Sequence, residues 1–286
     1  MKTIKYFFQF LLILFFFLIY KTLGAKISSN ISYQIFKLLG PFFRPREIIE
    51  ANINRAFPSL NRQYISKIID DMWGNYGRIL SEYVYMKDFR LSDLSNNIEI
   101  KGLEILESIK KENEPVIFVS GHFNNFELMA MQIEKSGINL AAIYRPLNNY
   151  FLNGIMEKIR KKYICKNQIK KGMSGTRQLL SFFKKKTSIA LMIDQRVSQG
   201  IKSNFFNKPA FTTTIPAQFV KKFNCKIVPI YIERKKNINF KLTILEPLQY
   251  APDETIETIT LSLNAILEKM IVKNPSQWIW SHNRWK

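Results

Sequence analysis

Residues 115–137 read PVIFVSGHFNNFELMAMQIEKSG, in which an apolar run is followed by a glycine and then by an amphipathic segment. The apolar run Val116–Ser120 predicts a strand. Gly121 permits an unusual backbone at the turn that follows, and residues 126–136 predict a helix that Gly137 ends. Strand, turn and helix in this order are typical of an α/β sheet.

Two side chains of this stretch have the chemistry of a base and its orienting partner. His122 lies on the predicted turn, and Glu127 lies in the first turn of the helix that Asn124 or Asn125 can cap. Within one helix, residues five apart point about 140° away from each other, but a turn between them lets the side chains meet. The carboxylate can then hold one imidazole nitrogen as a donor and leave the other free to accept a proton. The H-x4-E spacing alone is more typical of a histidine that caps a helix and a solvated glutamate.

From residue 98 onward, short apolar runs alternate with amphipathic stretches, which predicts an α/β sheet covered by helices on both faces. Functional residues of such sheets collect where strands end. The predicted strands are Val116–Ser120, Leu140–Tyr144, Ile189–Asp194, Lys226–Glu233 and Phe240–Leu245. The predicted helices are Leu103–Lys111, Phe126–Ser136, Phe151–Tyr163, Thr176–Lys185, Ile215–Phe223 and Thr255–Val272.

The N-terminus carries an apolar segment, TIKYFFQFLLILFFFLIY, at residues 3–20. Fifteen residues separate Lys5 from Lys21, which is short of the about 20 that a spanning helix needs, although residues 22–25 extend the segment. A cleaved signal peptide fits less well because TLGA is a poor cleavage site. We therefore expect residues 1–25 to be an uncleaved membrane anchor helix that either spans the membrane or lies on it.

Residues 26–97 are predicted to be a helical, membrane-proximal region, followed by an α/β domain at residues 98–286. One helical pattern ends before Phe57-Pro58, and Asn61 is a candidate cap for the next helix. That next helix has a broad apolar stripe, which indicates a core-facing side or, beside an anchor, a lipid-facing one. The stripe consists of Ile65, Ile68, Ile69, Met72, Trp73 and Tyr76.

The composition indicates a globular protein and limits the kinds of partner that it binds. A chain of 286 residues with 47% hydrophobic and 23% charged residues is globular, with one large domain plus an appendage or at most two domains. The net charge of +21 suits an anionic membrane surface, nucleic acid or an acidic protein. The anchor favours a membrane, and no nucleic-acid-binding signature is present. Cys165 and Cys225 form no metal-binding or disulfide pattern and are expected to be buried.

Three further polar residues follow predicted strands. Arg145, in YRP, can grip a phosphate with two parallel hydrogen bonds. Asp194 and Gln195, in IDQ, open towards the same sheet edge, where Asp194 can position a substrate or Arg145. His282, in the C-terminal WSHNRWK, is far in sequence from His122 and is expected to be a structural or surface histidine.

Five short sequences together resemble the late acyltransferases of lipid A biosynthesis, the lauroyl/myristoyl type, within the glycerolipid acyltransferase superfamily marked by H-x4-D/E. They are GHFNNFELM (121–129), YRPLNN (144–149), LMIDQR (191–196), FFNKPAFTTT (205–214) and WIWSHNRWK (278–286). The chain departs from the family at Asn125 and Phe126, where glycine and tryptophan are more common, and at Asn207, where glycine is. The last change affects the loop backbone rather than the reaction.

The resemblance implies a glycerolipid-acyltransferase-like fold, a mixed sheet flanked by helices, with residues 98–286 as the catalytic domain. It implies transfer of a fatty acyl chain from a thioester, usually acyl carrier protein, to a hydroxyl of a lipid A precursor, without a cofactor or metal. It makes His122 the general base, Glu127 its orienter, and Arg145 a phosphate or acceptor binder. Asp194, Gln195 and Asn125 are then further substrate-binding candidates.

The same resemblance implies a place at the bacterial inner (cytoplasmic) membrane, with the catalytic domain on the cytoplasmic side. Acyl carrier protein, an anionic glycolipid and the membrane are the expected partners, and nucleic acid is not. Two alternatives stay open on the sequence. One is a lysophospholipid or glycolipid acyltransferase with the same His/Glu chemistry, and the other is a non-catalytic, basic, membrane-tethered binding protein.

Overall fold

A seven-stranded sheet forms the centre of the α/β part in the computed structural model, which describes residues 2–286 without the side chain of Met173. A two-stranded hairpin, β6–β7, stands apart from it. The strands are β1 (Ile98–Lys101), β2 (Ile117–Ser120), β3 (Leu140–Tyr144), β4 (Asn167–Lys170), β5 (Ser188–Met192), β6 (Ile201–Phe205), β7 (Lys208–Thr212), β8 (Ile227–Lys236) and β9 (Asn239–Ile244).

The strand order is β1-β9-β8-β2-β5-β3-β4, and only the β8–β9 pair is antiparallel. The sheet is therefore mixed, and the predicted fold class is confirmed. β2 lies at the middle of the sheet and all four of its residues are buried. Its continuous apolar sequence follows from this position, because a strand covered on both faces has no solvent side to keep polar.

Eleven α-helices lie within the described residues. They are α1 (Lys2–Leu23), α2 (Ala25–Leu39), α3 (Arg46–Ala56), α4 (Arg62–Glu82), α5 (Met86–Leu91), α6 (Leu103–Glu112), α7 (Glu127–Lys135), α8 (Tyr150–Ile159), α9 (Met173–Lys184), α10 (Ile215–Phe223) and α11 (Ile256–Lys273). A single π-helical turn, Arg160–Ile164, continues α8, and short 3₁₀ turns connect several other elements.

All five predicted strands and six predicted helices of the α/β part are present, and apart from β3 and α10 their ends are shifted by a few residues. Four strands were not predicted: β1 and β4 are four-residue segments rich in polar residues, IEIK and NQIK, and the other two form the hairpin. The hairpin turn contains Phe206 and Asn207 with φ of 51° and 56°. Two left-handed residues in succession suit a tight hairpin turn, and glycine adopts them most easily.

The helical region packs against the sheet. The Asn61 side chain accepts a hydrogen bond from the Tyr64 backbone N–H at 2.8 Å, so the predicted cap of α4 is confirmed. Five residues of the predicted apolar stripe are buried and Tyr76 is partly buried, which confirms the core-facing interpretation. These side chains belong to the same core cluster as the strands, so the predicted boundary near residue 98 crosses a shared core.

The N-terminal helix α1 has 22 residues and, within the described part of the chain, is the one helix long and apolar enough to cross a membrane. Gly24, with φ of 78°, separates it from α2. Positive φ is a conformation that glycine adopts without steric cost, so the chain can change direction between the two helices.

Candidate active site

The ends of two neighbouring parallel strands bring His122 and Asp194 together. Ser120, the last residue of β2, pairs with Met192, the last residue of β5. His122 and Asp194 each lie two residues beyond these partners. The carboxyl ends of adjacent parallel strands open at the same sheet edge, so the register alone places the two side chains side by side.

Three hydrogen bonds converge on the Asp194 carboxylate. The Nδ1 atom of His122 lies 2.8 Å from Oδ1, the His122 backbone N–H donates to Oδ2 at 2.8 Å, and Trp278 Nε1 donates to Oδ2 at 2.8 Å. Burial alone would raise the pKa of Asp194, but its interaction with His122 and these hydrogen bonds lower it to about 2. An ionised Asp194 requires Nδ1 of His122 to carry the proton, which leaves Nε2 free to accept another.

This geometry corrects two sequence-based assignments. Asp194 is the carboxylate that holds the His122 imidazole through Nδ1, whereas the H-x4-E pattern predicts Glu127 in that place. Asp194 itself was expected to bind substrate or Arg145, but its side chain is 1% exposed and fully engaged with His122 and Trp278. The H-x4-E pattern indicated the right loop but the wrong hydrogen-bond partner.

Glu127 forms an ion pair with Arg160, which follows α8. Its Oε1 accepts from Arg160 Nε at 2.8 Å and from Nη2 at 2.6 Å, and it also accepts from the Tyr83 hydroxyl. Burial would lower the pKa of Arg160, but Glu127 and Tyr83 more than offset this and raise it. Arg160 Nη1 is buried without a hydrogen-bond partner among the described residues. Both Glu127 and Arg160 line the cavity beside His122.

Asn125 lies in the interior, away from that cavity. It is fully buried, and its Nδ2 donates to Glu82 Oε2 at 2.9 Å. Glu82 also forms a two-pronged ion pair with Arg234, with contacts of 2.6 and 3.0 Å. Asn125 therefore ties the His122 loop to the end of α4, and its assignments as a helix cap and as a substrate-binding residue are wrong.

Gly121 serves a different purpose from the one predicted. The left-handed residue of this turn is Asn124, with φ of 41°, whereas Gly121 has no positive φ. A Cβ on Gly121 would lie 2.9 Å from the Phe123 ring and 3.2 Å from Asp194 Oδ2. Glycine is needed here because the backbone approaches the Asp194 carboxylate closely.

A cavity of about 830 Å³ opens beside His122. Its wall combines buried apolar side chains from β2, α7 and neighbouring elements with polar side chains that are exposed or half-exposed. The buried apolar group includes Phe118, Val119, Met129, Ile133, Ile164 and Ile230. The polar group includes Arg145, Gln168, Lys170, Lys171, Gln195 and Gln199. An apolar interior with a polar and basic rim fits a ligand that has a hydrocarbon part and an anionic or polar part.

Arg145 and Gln195 both lie on this wall, as a substrate-binding role requires. Arg145 is exposed and directly follows β3, while Gln195 is half-buried and directly follows Asp194. Their positions agree with the sequence-based placement at strand ends. Contact with substrate is a separate matter, and it stays a prediction for both residues.

His282 also lines the cavity, although the sequence indicated a structural or surface residue. Its Nε2 accepts a hydrogen bond from the Arg196 backbone N–H at 3.0 Å, so Nδ1 carries the proton of the neutral ring. Burial is the main reason why its pKa falls to about 4, and its interactions with His122, Arg284 and Lys171 lower it further against the opposing effect of Asp194.

Sequence reasoning missed three contributors to the site: Trp278, His282 and Arg160. The first two belong to the C-terminal motif, which was recognised as a motif but given no role. Arg160 had no sequence signal, because its partnership with Glu127 depends on how α8 and its π-helical turn pack against α7. Cys165 and Cys225 are buried as expected, and burial raises the pKa of both thiols to about 12.

Comparison with known proteins identifies the family of this chain. The family model described as bacterial lipid A biosynthesis acyltransferase matches residues 1–286. The Escherichia coli lipid A biosynthesis palmitoleoyltransferase is 24% identical over 269 residues, covering 92% of this chain and 84% of the relative. The lauroyltransferase of the same organism is 24% identical over 251 residues (85% and 79%), and the myristoyltransferase is 20% identical over 247 residues (85% and 75%). The chain therefore belongs to the bacterial lipid A biosynthesis acyltransferase family and is an acyltransferase of lipid A synthesis.

Proposed function

We propose that this enzyme, attached to the membrane, moves a fatty acyl chain from the thioester of acyl carrier protein to a hydroxyl of a lipid A precursor. The observation that carries the proposal is the His122–Asp194 pair on the wall of a partly apolar cavity. Related enzymes named for lauroyl, myristoyl and palmitoleoyl groups support an acyl chain of that class.

In the proposed reaction His122 Nε2 removes the proton of the acceptor hydroxyl. The hydroxyl oxygen attacks the thioester carbonyl carbon, a C–O bond forms, and the carbonyl oxygen becomes an oxyanion. When the tetrahedral intermediate collapses, the C–S bond breaks, and His122 returns the proton to the departing thiolate. This reaction needs no enzyme nucleophile. That agrees with Cys165 and Cys225, which are buried and whose thiol pKa values are raised.

Asp194 is the positioning residue of this proposal. Its pKa of about 2 keeps it ionised at neutral pH, so it stabilises the imidazolium that forms and fixes the tautomer. General base catalysis is typically worth ~10²–10⁴-fold in rate. Trp278 contributes indirectly, since its indole N–H holds the second carboxylate oxygen.

We assign the polar rim of the cavity to the anionic substrates. Arg145 is exposed at the end of β3, where a guanidinium can hold a phosphate of the acceptor with two hydrogen bonds. Gln195, which directly follows Asp194 in the sequence, lies on the same wall. Arg160 Nη1 is a buried donor without a partner among the described residues, so an oxygen of the substrate would satisfy it, and Glu127 keeps Arg160 in place.

Charge and the N-terminal helix support the proposed donor and location. Acyl carrier proteins are acidic, and the net charge of +21 favours their approach as well as binding to anionic lipid. The apolar helix α1 supports attachment to the inner membrane, with the catalytic part on the cytoplasmic side where acyl carrier protein is found.

A direct assay tests the proposed substrates. Purified enzyme is incubated with acyl carrier protein thioester and a lipid A precursor, and the product is identified by mass spectrometry. Parallel reactions contain acyl-coenzyme A as donor or a lysophospholipid as acceptor. We expect the carrier protein and the lipid A precursor to be preferred. Faster acylation of the lysophospholipid would contradict the acceptor, and a KM for the carrier protein that does not rise with salt would contradict the charge argument.

A further inference from the structure

The N-terminal helix α1 contacts the rest of the protein at both of its ends. Near its start, Asn149 Nδ2 donates a hydrogen bond to the Tyr6 carbonyl at 2.8 Å, and the Tyr6 and Tyr150 rings are 6.2 Å apart, edge to face. Near its end, Lys21 Nζ lies 3.0 Å from Asp88 Oδ2. A helix held at both ends in this way lies along the body rather than projecting from it.

The middle of α1 continues the same contact. Phe10, Ile13 and Phe17 pack against the hydrophobic core, and Tyr20 is buried. Phe10 lies 5.8 Å from the Phe151 ring of α8. These positions are three or four residues apart, so together they form a single helix face that rests on the protein.

The opposite face of α1 is apolar and exposed along its whole length. Its side chains are between 43% and 70% exposed, and at 100° per residue they span a stripe of roughly 140°. They are Ile4, Phe7, Phe8, Leu11, Leu12, Phe15 and Leu18. One edge of this outer stripe of α1 meets the protein, since the Phe7 ring lies 5.6 Å from the Phe151 ring of α8, and the rest of the stripe stays exposed among the described residues.

The next helix, α2, buries polar side chains and exposes apolar ones, which is the reverse of a surface helix on a water-soluble protein. Its buried residues are serines, such as Ser32, whose hydroxyl donates to the Gly77 carbonyl of α4 at 2.6 Å. Its exposed residues include Ile27, Ile31 and Leu38, which lie within one narrow stripe. Hydroxyls inside and aliphatic side chains outside indicate that the surroundings of α2 are apolar.

These exposed apolar side chains are concentrated in one part of the sequence. Of the 22 large apolar side chains that the described residues expose, 14 lie between Ile4 and Phe43. A concentration of this kind marks a binding surface. Lysines adjoin it, among them Lys5, Lys26 and Lys37, and they suit the anionic headgroups of a bilayer.

Length does not decide how α1 meets that bilayer, since 22 residues are about 33 Å long and could cross it. The packing of α1 against the rest of the protein does decide whether the helix crosses the bilayer. The rest of the protein is bound to both ends of α1, through Asn149 and Asp88. If α1 crossed the bilayer, this part of the protein would lie alongside the helix within the hydrocarbon layer. Polar and charged groups are costly there.

We propose that α1 lies in the plane of the membrane interface, with its outer stripe in the lipid and its inner face on the protein, and that the exposed face of α2 also contacts lipid. α8 begins just after the Arg145 loop, so its contact with α1 brings the rim of the cavity close to the membrane. A lipid substrate then reaches the cavity from the bilayer surface. This inference rests on the membrane attachment of the proposed function and not on its chemistry.

Sidedness is the first test. In a Cys165→Ser/Cys225→Ser background, single cysteines are introduced as Thr3→Cys, before the outer stripe, and Glu107→Cys, an exposed control on α6. The protein is added to preformed vesicles of phosphatidylethanolamine and phosphatidylglycerol and treated with a membrane-impermeant maleimide. We expect both cysteines to react from outside. Protection of position 3 with reaction of position 107 would show that the helix crosses the bilayer.

Depth is the second test, and it uses nitroxide labels at Ile4→Cys, Leu11→Cys and Leu18→Cys. A helix in the interface holds all three labels at a similar depth, about 5–10 Å into the boundary between headgroups and acyl chains. A spanning helix would place the middle label near the bilayer centre, about 10 Å deeper than the end labels, because seven residues at about 1.5 Å each separate neighbouring labels. Three labels in water would overturn membrane contact altogether. Neither test measures acyl transfer, so failure of the proposed reaction and failure of this inference are distinguishable.

Discussion

The Nδ1 atom of His122 lies 2.8 Å from the Oδ1 atom of Asp194, although the residues are 72 positions apart in the sequence. The β2–β5 register produces this contact, and Gly121 allows it because a side chain there would press on the carboxylate. The imidazole is thereby held with one nitrogen protonated and the other free. The remaining elements of the site are arranged around this pair.

The Glu127–Arg160 ion pair should behave as one functional unit. Glu127→Gln leaves a buried guanidinium without its carboxylate, and Arg160→Met removes the buried donor that has no partner among the described residues. We expect each change to lower kcat/KM and the double variant to lose little more than the worse single variant. The coupling free energy from kcat/KM of all four proteins should be about 0.5–3 kcal/mol. Fully multiplicative losses would show that the residues act independently.

Arg145→Ala should weaken binding of the phosphorylated acceptor more than binding of the donor. Charge-assisted hydrogen bonds are each worth roughly 1.5–3 kcal/mol, so acceptor affinity should fall by about tenfold or more. Arg145→Lys is the matched control, since it keeps the charge but loses the two-pronged geometry. KM for phosphorylated and dephosphorylated acceptor is measured for all three proteins. An Arg145→Ala enzyme that still prefers the phosphorylated acceptor as strongly as the parent would rule out this role.

Glu82→Ala should destabilise the whole protein. It leaves Arg234, which is 8% exposed, buried without its carboxylate, and loss of one partner of a buried pair costs roughly 3–5 kcal/mol. Denaturant unfolding in detergent measures the loss. The paired variant Glu82→Met/Arg234→Met leaves no unpaired charge and should be more stable than Glu82→Ala. If the paired variant is the less stable of the two, the unpaired charge is not the cause.

Stability should fall in mild acid because of His282. Its pKa is about 4 in the folded protein and about 6.5 when unfolded, so between these values the unfolded state binds more protons. Its contribution is therefore present above the unfolded pKa and is lost as pH falls towards the folded one. We expect the drop in Tm from about pH 7 to about pH 5 to be smaller in His282→Gln than in the parent. Equal drops would contradict the burial argument.

Asp194 does not contribute in that window. Its folded pKa of about 2 lies below its ordinary value, so its stabilisation is complete above about pH 4 and is lost only in stronger acid. Comparison of the parent with His282→Gln at each pH removes the effect of the other carboxylates, which titrate in both proteins.

Local sequence patterns were sufficient for β3 and α10, whose predicted and observed ends coincide. They were also sufficient to place His122 on the loop after a buried strand. They could not supply its partner, because Asp194 reaches His122 only through the register of β2 on β5, which no local pattern specifies.

Asn125 is a second residue whose role local sequence patterns could not predict. Its residue type and position favour a helix cap. The structure uses its amide for Glu82, which lies 43 positions earlier at the end of α4. Long-range packing, here between the helical region and the His122 loop, overrides the local preference of such a residue.

In the proposed mechanism His122 is the general base, and Asp194, rather than Glu127, orients it. The most direct measurement is kcat for His122→Ala and Asp194→Asn in the acyl-transfer assay, with folding checked by Tm. Removal of general base catalysis should lower kcat by ~10²–10⁴-fold in both variants, with little change in KM for the donor. An Asp194→Asn enzyme of nearly parental kcat, or a His122→Ala enzyme that keeps more than about a tenth of it, would contradict the account.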